Sequence, residues 1–314
     1  MYSCHGWPVA GSAGIFTATL FPLKEKLTLP ALFQLSIANK FAPERSTNLF
    51  TSIAPVQRVF IQLNEFFLGD VMASMRAVRK MKPGTGFEMA NIKVPVPQKG
   101  ELLVKVKATS LCGTDIHIYN WEPPWSAGRY VPPKTMGHEV CGEIVELGKG
   151  ITGFSVGDSV SAESHIYDNT CSQCKLGNQH ICENLKFFSI DTEGFWAEFA
   201  IIPQQNAWKN PKSMKPEIAT LQESMGNSVY TVEESKVAGK NVAVFGLGPT
   251  GLFAVGIAKA MGAKKVMAIG GTKTHEKIAK QMKADVFINR HESEPVKTLK
   301  ELTDGRGPDV VLEM

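Results

Sequence analysis

The stretch that most constrains the fold runs from Asn241 to Met261. Asn241-Val-Ala-Val-Phe reads as a buried strand. Gly246-Leu-Gly248-Pro-Thr-Gly251 is a tight glycine turn, and an apolar helix follows it. A Gly-x-Gly-x-x-Gly turn between a strand and a helix is a phosphate cradle. The first glycine makes the turn, the second lets backbone approach a pyrophosphate, and the third lets helix pack on strand. The helix N-terminus attracts the phosphate charge. Downstream, Lys265-Val-Met-Ala-Ile-Gly270 predicts a strand and Thr274–Met282 a helix. Asp285–Asn289 predicts a strand, Val296–Leu302 a helix and Asp309–Glu313 a fourth strand. Upstream, Glu217–Glu234 reads as a helix. Alternation of this kind gives a parallel, doubly wound α/β sheet.

About twenty residues past such a turn, an acid commonly holds the ribose 2′-hydroxyl of NAD. Here that place holds Gly270 and Gly271, followed by Thr272, Lys273 and His275. Small, hydroxylated and basic residues suit a 2′-phosphate. The reading therefore leans to NADP and leaves NAD open.

Residues 75–205 have a different texture. Glu101–Thr109 alternates apolar and basic residues, the pattern of a half-buried strand. Val140–Gly148 and Ala197–Pro203 are further strands, and glycine-rich turns separate them. Many short strands predict a small β-barrel-like domain.

Six cysteines in 314 residues are not spread evenly: Cys171, Cys174 and Cys182 form one cluster. With no clear signal peptide to read, clustered cysteines suggest metal rather than disulfides, and a reducing, cytosolic compartment is the expectation. Asp168-x-x-Cys171-x-x-Cys174 followed by Cys182 has the spacing of a structural zinc lobe, with an acid in first place. A second set begins at Cys112, where a thiol, the Thr114 hydroxyl and the His117 imidazole share one loop. With His138 it supplies two soft ligands, and Glu139 or Glu223 could be the third. Three protein ligands and one open place make a catalytic zinc. The metal would acidify a substrate alcohol, and Thr114 and His117 would relay its proton outward.

Charge excludes other classes. A net charge of +4 without a long basic block gives no basis for nucleic-acid binding. No apolar stretch of 18 residues appears, so no membrane span is expected. A small-molecule substrate is the expected partner. Residues 1–71 lack a clean period and read as an atypical extension, disordered or a mis-set start.

The pattern Gly137-His-Glu-x-x-Gly142-x5-Gly148-x-x-Ile151 resembles the signature of the zinc-dependent medium-chain dehydrogenase/reductase superfamily. Within it, Cys112–Trp121, Glu163–Ile166 and Met225–Asn227 are similar to the L-threonine 3-dehydrogenase branch. The resemblance implies a GroES-like β-barrel catalytic domain over 75–215 and a Rossmann domain over 216–314, incomplete against that family's length. It implies a catalytic zinc on Cys112, His138 and Glu139, and a proton relay through Thr114 and His117. It also implies an assisting acid at Glu223, a substrate-side histidine at His165, and cofactor contacts at Thr250, Gly270 and His275. The implied reaction oxidises L-threonine to 2-amino-3-oxobutanoate, by a homo-oligomer when full length. Departures at Asp168, Gly270, His275 and Glu122–Trp125 keep an NADP-dependent polyol, sugar or secondary-alcohol dehydrogenase open. A non-catalytic zinc-binding fragment is the reading from another class.

Overall fold

The computed structural model describes residues 73–314, and the expectation for residues 1–71 falls outside them. The described residues form two compact units, meeting in sequence between Glu217 and Ile218.

The named strand pairs of the first unit are all antiparallel. Strands β1 (Ser74–Lys80), β2 (Glu88–Lys93) and β4 (Lys134–Thr135) form one sheet, in the order β2-β1-β4. A five-stranded sheet holds β3 (Glu101–Thr109), β5 (Val140–Leu147), β6 (Ser159–Ala162), β9 (Phe199–Pro203) and β10 (Ala207–Lys209), in the order β10-β6-β5-β3-β9. The pair β7 (His165–Ile166) and β8 (Lys186–Phe187) stands apart. The alternation in β3 is kept: Val104, Val106 and Ala108 are buried, while Lys105 and Lys107 face solvent. Val104 and Val106 join Val140, Ile144, Val160, Phe195 and Ile202 in one core.

Two helices belong to this unit, α1 (Gly113–Asn120) and the short α2 (Ser172–Lys175). The sequence reading placed Cys112, Thr114 and His117 on a loop; from Gly113 onward they stand on α1 instead. Its β-branched Thr114, Ile116 and Ile118 weaken a helix signal, because they lose side-chain freedom against the preceding turn. The signal that wins is the cap. Asp115 stands three residues past Cys112 and its Oδ2 accepts the Cys112 N–H at 3.0 Å. Trp121, with φ of 62°, closes the helix in the left-handed region.

Lys80 secures the far end of α1. It is fully buried at the end of β1 and its ammonium donates to the carbonyls of Gly84, Gly86 (3.2 Å) and Tyr119 (3.2 Å). It also lies 5.0 Å from the centre of the Trp121 ring, in cation–π reach. Burial lowers its pKa to about 8. A buried cation is tolerated because three carbonyl oxygens replace its water.

The second unit is the doubly wound sheet. Strands β11 (Asn241–Phe245), β12 (Lys265–Gly270), β13 (Val286–Asn289) and β14 (Val310–Glu313) are all parallel, in the order β13-β12-β11-β14. Helices α4 (Pro249–Ala260), α5 (Lys273–Gln281) and α6 (Pro295–Glu301) make the crossovers. A one-turn helix at Pro216–Ala219 comes first and helix α3 (Gln222–Glu234) follows it, so the helix read over Glu217–Glu234 is present but broken at residues 220–221. Its Ser228 hydroxyl donates to the Thr250 carbonyl at 2.8 Å, which ties α3 to the first turn of α4. Val242, Val244, Val255, Val266 and Ala268 are fully buried on one face, and Ala243 and Met267 on the other. A sheet buried on both faces has near-continuous apolar strands, which is why these were readable.

Candidate metal and dinucleotide sites

Strand register brings the first ligand set together. Strands β3 and β5 are antiparallel, with Thr109 opposite Val140 and Ala108 opposite Cys141. Cys112 lies three residues past Thr109, and His138 and Glu139 lie just before Val140. All three therefore gather at one end of the five-stranded sheet. A sulfur, an imidazole nitrogen and a carboxylate oxygen from Cys112, His138 and Glu139 lie within 4.8 Å of one another. His138 and Glu139 are buried and Cys112 is half-buried. One thiol, one imidazole and one carboxylate are a donor set that zinc accepts.

Gly137 fixes the approach of His138. Its φ is +83°, and a Cβ there would sit 2.1 Å from Cδ1 of Trp196. The indole is itself held, since its Nε1–H donates to the Ser110 carbonyl at 3.3 Å. The glycine before the histidine is thus a packing requirement of the ligand loop.

Asp115 was not singled out in the sequence, yet it touches both sides of this cluster. Its Oδ2 accepts from the Cys112 backbone, and its Oδ1 is 3.7 Å from His138 Nδ1. Burial raises its pKa, against the opposing pull of His138. A carboxylate behind a ligating histidine orients the ring. The legible signal was the acid three residues past Cys112.

The relay candidates separate in exposure. Thr114 is half-buried and His117 exposed, one turn apart on α1. His117 Nδ1 is 2.5 Å from Glu122 Oε2. That hydrogen bond is the main reason the Glu122 carboxyl is held below its usual range. Glu122 too was missed, having been read only as part of a local variation. His165, on β7, hydrogen-bonds through Nδ1 to Glu163 and meets the Phe187 ring edge-on at 4.8 Å. Burial raises the Glu163 carboxyl pKa, and the His165 contacts outweigh it to leave a net lowering. Glu223 belongs to the second unit, buried in the first turn of α3.

The second ligand set is also assembled. Donor atoms of Asp168, Cys171, Cys174 and Cys182 lie within 4.8 Å of one another. The backbone N–H groups of Cys174 and Glu183 each reach the Cys171 sulfur at 3.5 Å, and that of Asp168 reaches the Cys182 sulfur at the same distance. The two donors to Cys171 hold its thiol below the usual range, while burial pushes the Cys174 thiol up to about 12. Asp168 accepts from Asn184 Nδ2 (2.6 Å) and from the N–H of Thr170 (2.8 Å) and Cys171 (3.1 Å), which drives its pKa well down. The substituted first position is therefore an anionic oxygen, and a four-donor closed site fits zinc. His180 is exposed and outside the set.

In the second unit the three glycines of the turn divide their work. Gly246 has φ of +81°. Gly248 precedes α4 with open space where a side chain would begin, which leaves the backbone accessible to a phosphate. A Cβ on Gly251 would stand 1.8 Å from the Gly246 carbonyl oxygen. At the end of β12, a Cβ on Gly270 would be 2.9 Å from both Leu247 and Phe287 and 3.1 Å from His275. Thr272 caps α5, its Oγ1 accepting the His275 N–H at 3.1 Å. Lys273 is exposed at the first helical position. The loop fits a dinucleotide on its own geometry.

Comparison with known proteins agrees in both units. Residues 98–212 match the alcohol dehydrogenase GroES-like domain, and residues 249–314 match the zinc-binding dehydrogenase family. The chain is 49% identical over 239 residues to an L-threonine 3-dehydrogenase of Pyrococcus horikoshii, covering 76% of this chain and 68% of that one. Among solved structures, a zinc-binding dehydrogenase of Sinorhizobium meliloti bound to NADP superposes with a TM-score of 0.71. It is 30% identical, and the match covers 77% of this chain and 70% of that one. The 2R,3R-butanediol dehydrogenase of Bacillus subtilis gives a TM-score of 0.68 at 29% identity, covering 77% and 70%. Among the described residues no helix is long and apolar enough to cross a membrane.

Proposed function

The chain belongs to the zinc-dependent medium-chain dehydrogenase/reductase family, whose members oxidise alcohols with NAD(P), and on that footing we propose that its substrate is L-threonine. The 3-hydroxyl would be oxidised to give 2-amino-3-oxobutanoate. The observation that carries this reading is the near one-half identity to a threonine dehydrogenase across the whole of both ligand sets. The 2R,3R-butanediol dehydrogenase likeness supports a second reading, a small diol.

Cys112, His138 and Glu139 are the residues assigned to a catalytic zinc. When bound there, zinc supplies a Lewis acid that eases ionisation of the alcohol, and the nicotinamide accepts the hydride. Asp115 holds the Cys112 backbone by a hydrogen bond and lies 3.7 Å from His138 Nδ1, so it is placed beside both ligands. Thr114 and His117 carry the proton away along one face of α1. Glu122 Oε2 lies 2.5 Å from His117 Nδ1 and holds the ring at the exposed end of that path. Glu223 is assigned a part in the same proton transfer. His165, fixed by Glu163, is assigned to the substrate's polar groups. Gly246, Gly248, Thr250 and Gly251 are assigned to the dinucleotide. Asp168, Cys171, Cys174 and Cys182 are assigned to a second, structural zinc. The clustered thiols fit a reducing cytoplasm.

Steady-state rates with either cofactor separate the two substrate readings. A site built to hydrogen-bond an amino acid rejects an analogue lacking those groups, because its own polar groups are then left unpaired. The expected kcat/KM for L-threonine exceeds that for 2,3-butanediol and for glucose by at least about 100-fold. Equal rates would remove threonine and leave a less selective alcohol dehydrogenase.

A further inference from the structure

We propose that Arg129 and Asp191 are positioning residues for His165. Together they clamp the loop after α1 to the turn after β8, and the Phe187 ring passes that restraint to the imidazole. The proposal rests on the assignment of His165 to the substrate, and it names what holds that side chain in place.

Asp191 closes the turn after β8. Its Oδ2 accepts the Phe187 N–H at 2.9 Å, and its own N–H donates to the Phe187 carbonyl at 2.9 Å. The turn needs such closure, because Ser189 within it is fully buried and has a φ of 64°. A residue other than glycine in the left-handed region persists only where its surroundings hold it there.

The same carboxylate reaches across the chain. Arg129, sixty-two residues earlier, meets it with both ends of its guanidinium, Nη1 to Oδ1 at 2.8 Å and Nη2 to Oδ2 at 3.1 Å. Burial raises the Asp191 pKa, and the bonds from Arg129 and the Phe187 N–H outweigh it to leave a net lowering. Both side chains are partly exposed. A single surface ion pair contributes little, but two parallel N–H bonds also fix an orientation.

Phe187 links this clamp to the site. The Arg129 guanidinium carbon lies 5.8 Å from the centre of its ring, in cation–π reach. His165 is the register partner of Phe187 in the β7–β8 pair, and the two rings meet edge-on at 4.8 Å. His165 Nδ1 bonds to Glu163, and its carbonyl accepts from Asn206 Nδ2 at 2.8 Å. Nε2 is then the nitrogen left for a ligand, and packing against Phe187 fixes the plane in which it points.

The clamp also gives a role to a departure seen in the sequence. Glu122–Trp125 is a local variation in the substrate-side loop, and Arg129 stands four residues past it. Trp125 and Phe187 pack against one core, with Tyr119, Tyr130 and Ile190. A change in this loop therefore reaches His165 through Arg129 and Phe187 without any loop residue touching the substrate.

A double-mutant cycle in the full-length, zinc-loaded protein tests this, using L-threonine or 2,3-butanediol, whichever is turned over faster. Arg129→Ala is expected to raise KM about fivefold with little change in kcat, because a loosened binding group weakens ground state and transition state alike. Arg129→Lys, which keeps the charge without the fork, should recover part of that loss. In a His165→Ala background, Arg129→Ala should raise KM no further. Arg129 is exposed, and zinc content and melting temperature check that the variants stay folded. An unchanged KM in Arg129→Ala, or the same fivefold rise when His165 is already absent, overturns the clamp alone. An unchanged KM in His165→Ala overturns the assignment of His165 together with the clamp built on it.

Discussion

Cys112→Ser is expected to empty one metal site and stop turnover while the protein stays folded. Serine at neutral pH offers a neutral, hard oxygen where the site has a thiol that can ionise, and zinc prefers thiolate. His138 and Glu139 alone leave too few ligands at the end of the five-stranded sheet. Zinc content should fall from about two ions per chain to about one. Lewis-acid stabilisation is worth several kcal/mol, so turnover should fall by at least about 1,000-fold. Thermal unfolding should move little. The Cys112 contribution to α1 is a backbone one, its N–H to Asp115, and serine keeps it. Elemental analysis, rate and melting curve on one preparation check all three. A variant that kept both ions would place the zinc elsewhere.

Gly251→Ala is expected to have the second large effect, on the other unit. The new Cβ would stand 1.8 Å from the Gly246 carbonyl oxygen, which is backbone and cannot swing aside. Either the first turn of α4 moves away from β11 by about 1 Å or more, or the glycine turn opens. Both displace the backbone that faces a pyrophosphate at Gly248. Misplacement on that scale costs on the order of 100-fold. The expected result is a dissociation constant for NAD(P) raised by about that factor, with zinc content unchanged. Titration of cofactor fluorescence measures it. Unchanged affinity would mean that the turn does not hold the dinucleotide.

Those two residues mark what was legible from sequence. The doubly wound sheet was readable because both of its faces are buried: β11 and β12 carry apolar side chains without interruption, and the glycine turn punctuates them. Helix ends differ from expectation by a residue or so, which is ordinary fraying. Both ligand sets were readable because metal chemistry restricts residue type and spacing. What escaped was whatever depends on a cap or on sheet order. Helix α1 is short, rich in β-branched residues and defined by its capping acid, so periodicity gave no sign of it. Asp115 stood at a capping spacing that was passed over, and Glu122 acts through a hydrogen bond to His117 that no spacing rule isolates. Phe187 reaches His165 only because β8 lies beside β7. The Glu217–Glu234 helix is interrupted at residues 220–221, and nothing in its composition marks that break.

The central claim is that this family member oxidises its alcohol at a zinc held by Cys112, His138 and Glu139. The most direct measurement is a titration of the full-length protein with a zinc chelator, following metal content and alcohol oxidation together. Loss of activity in step with loss of about one zinc per chain, and recovery on adding zinc back, is the result predicted. Undiminished oxidation by metal-free protein would contradict it.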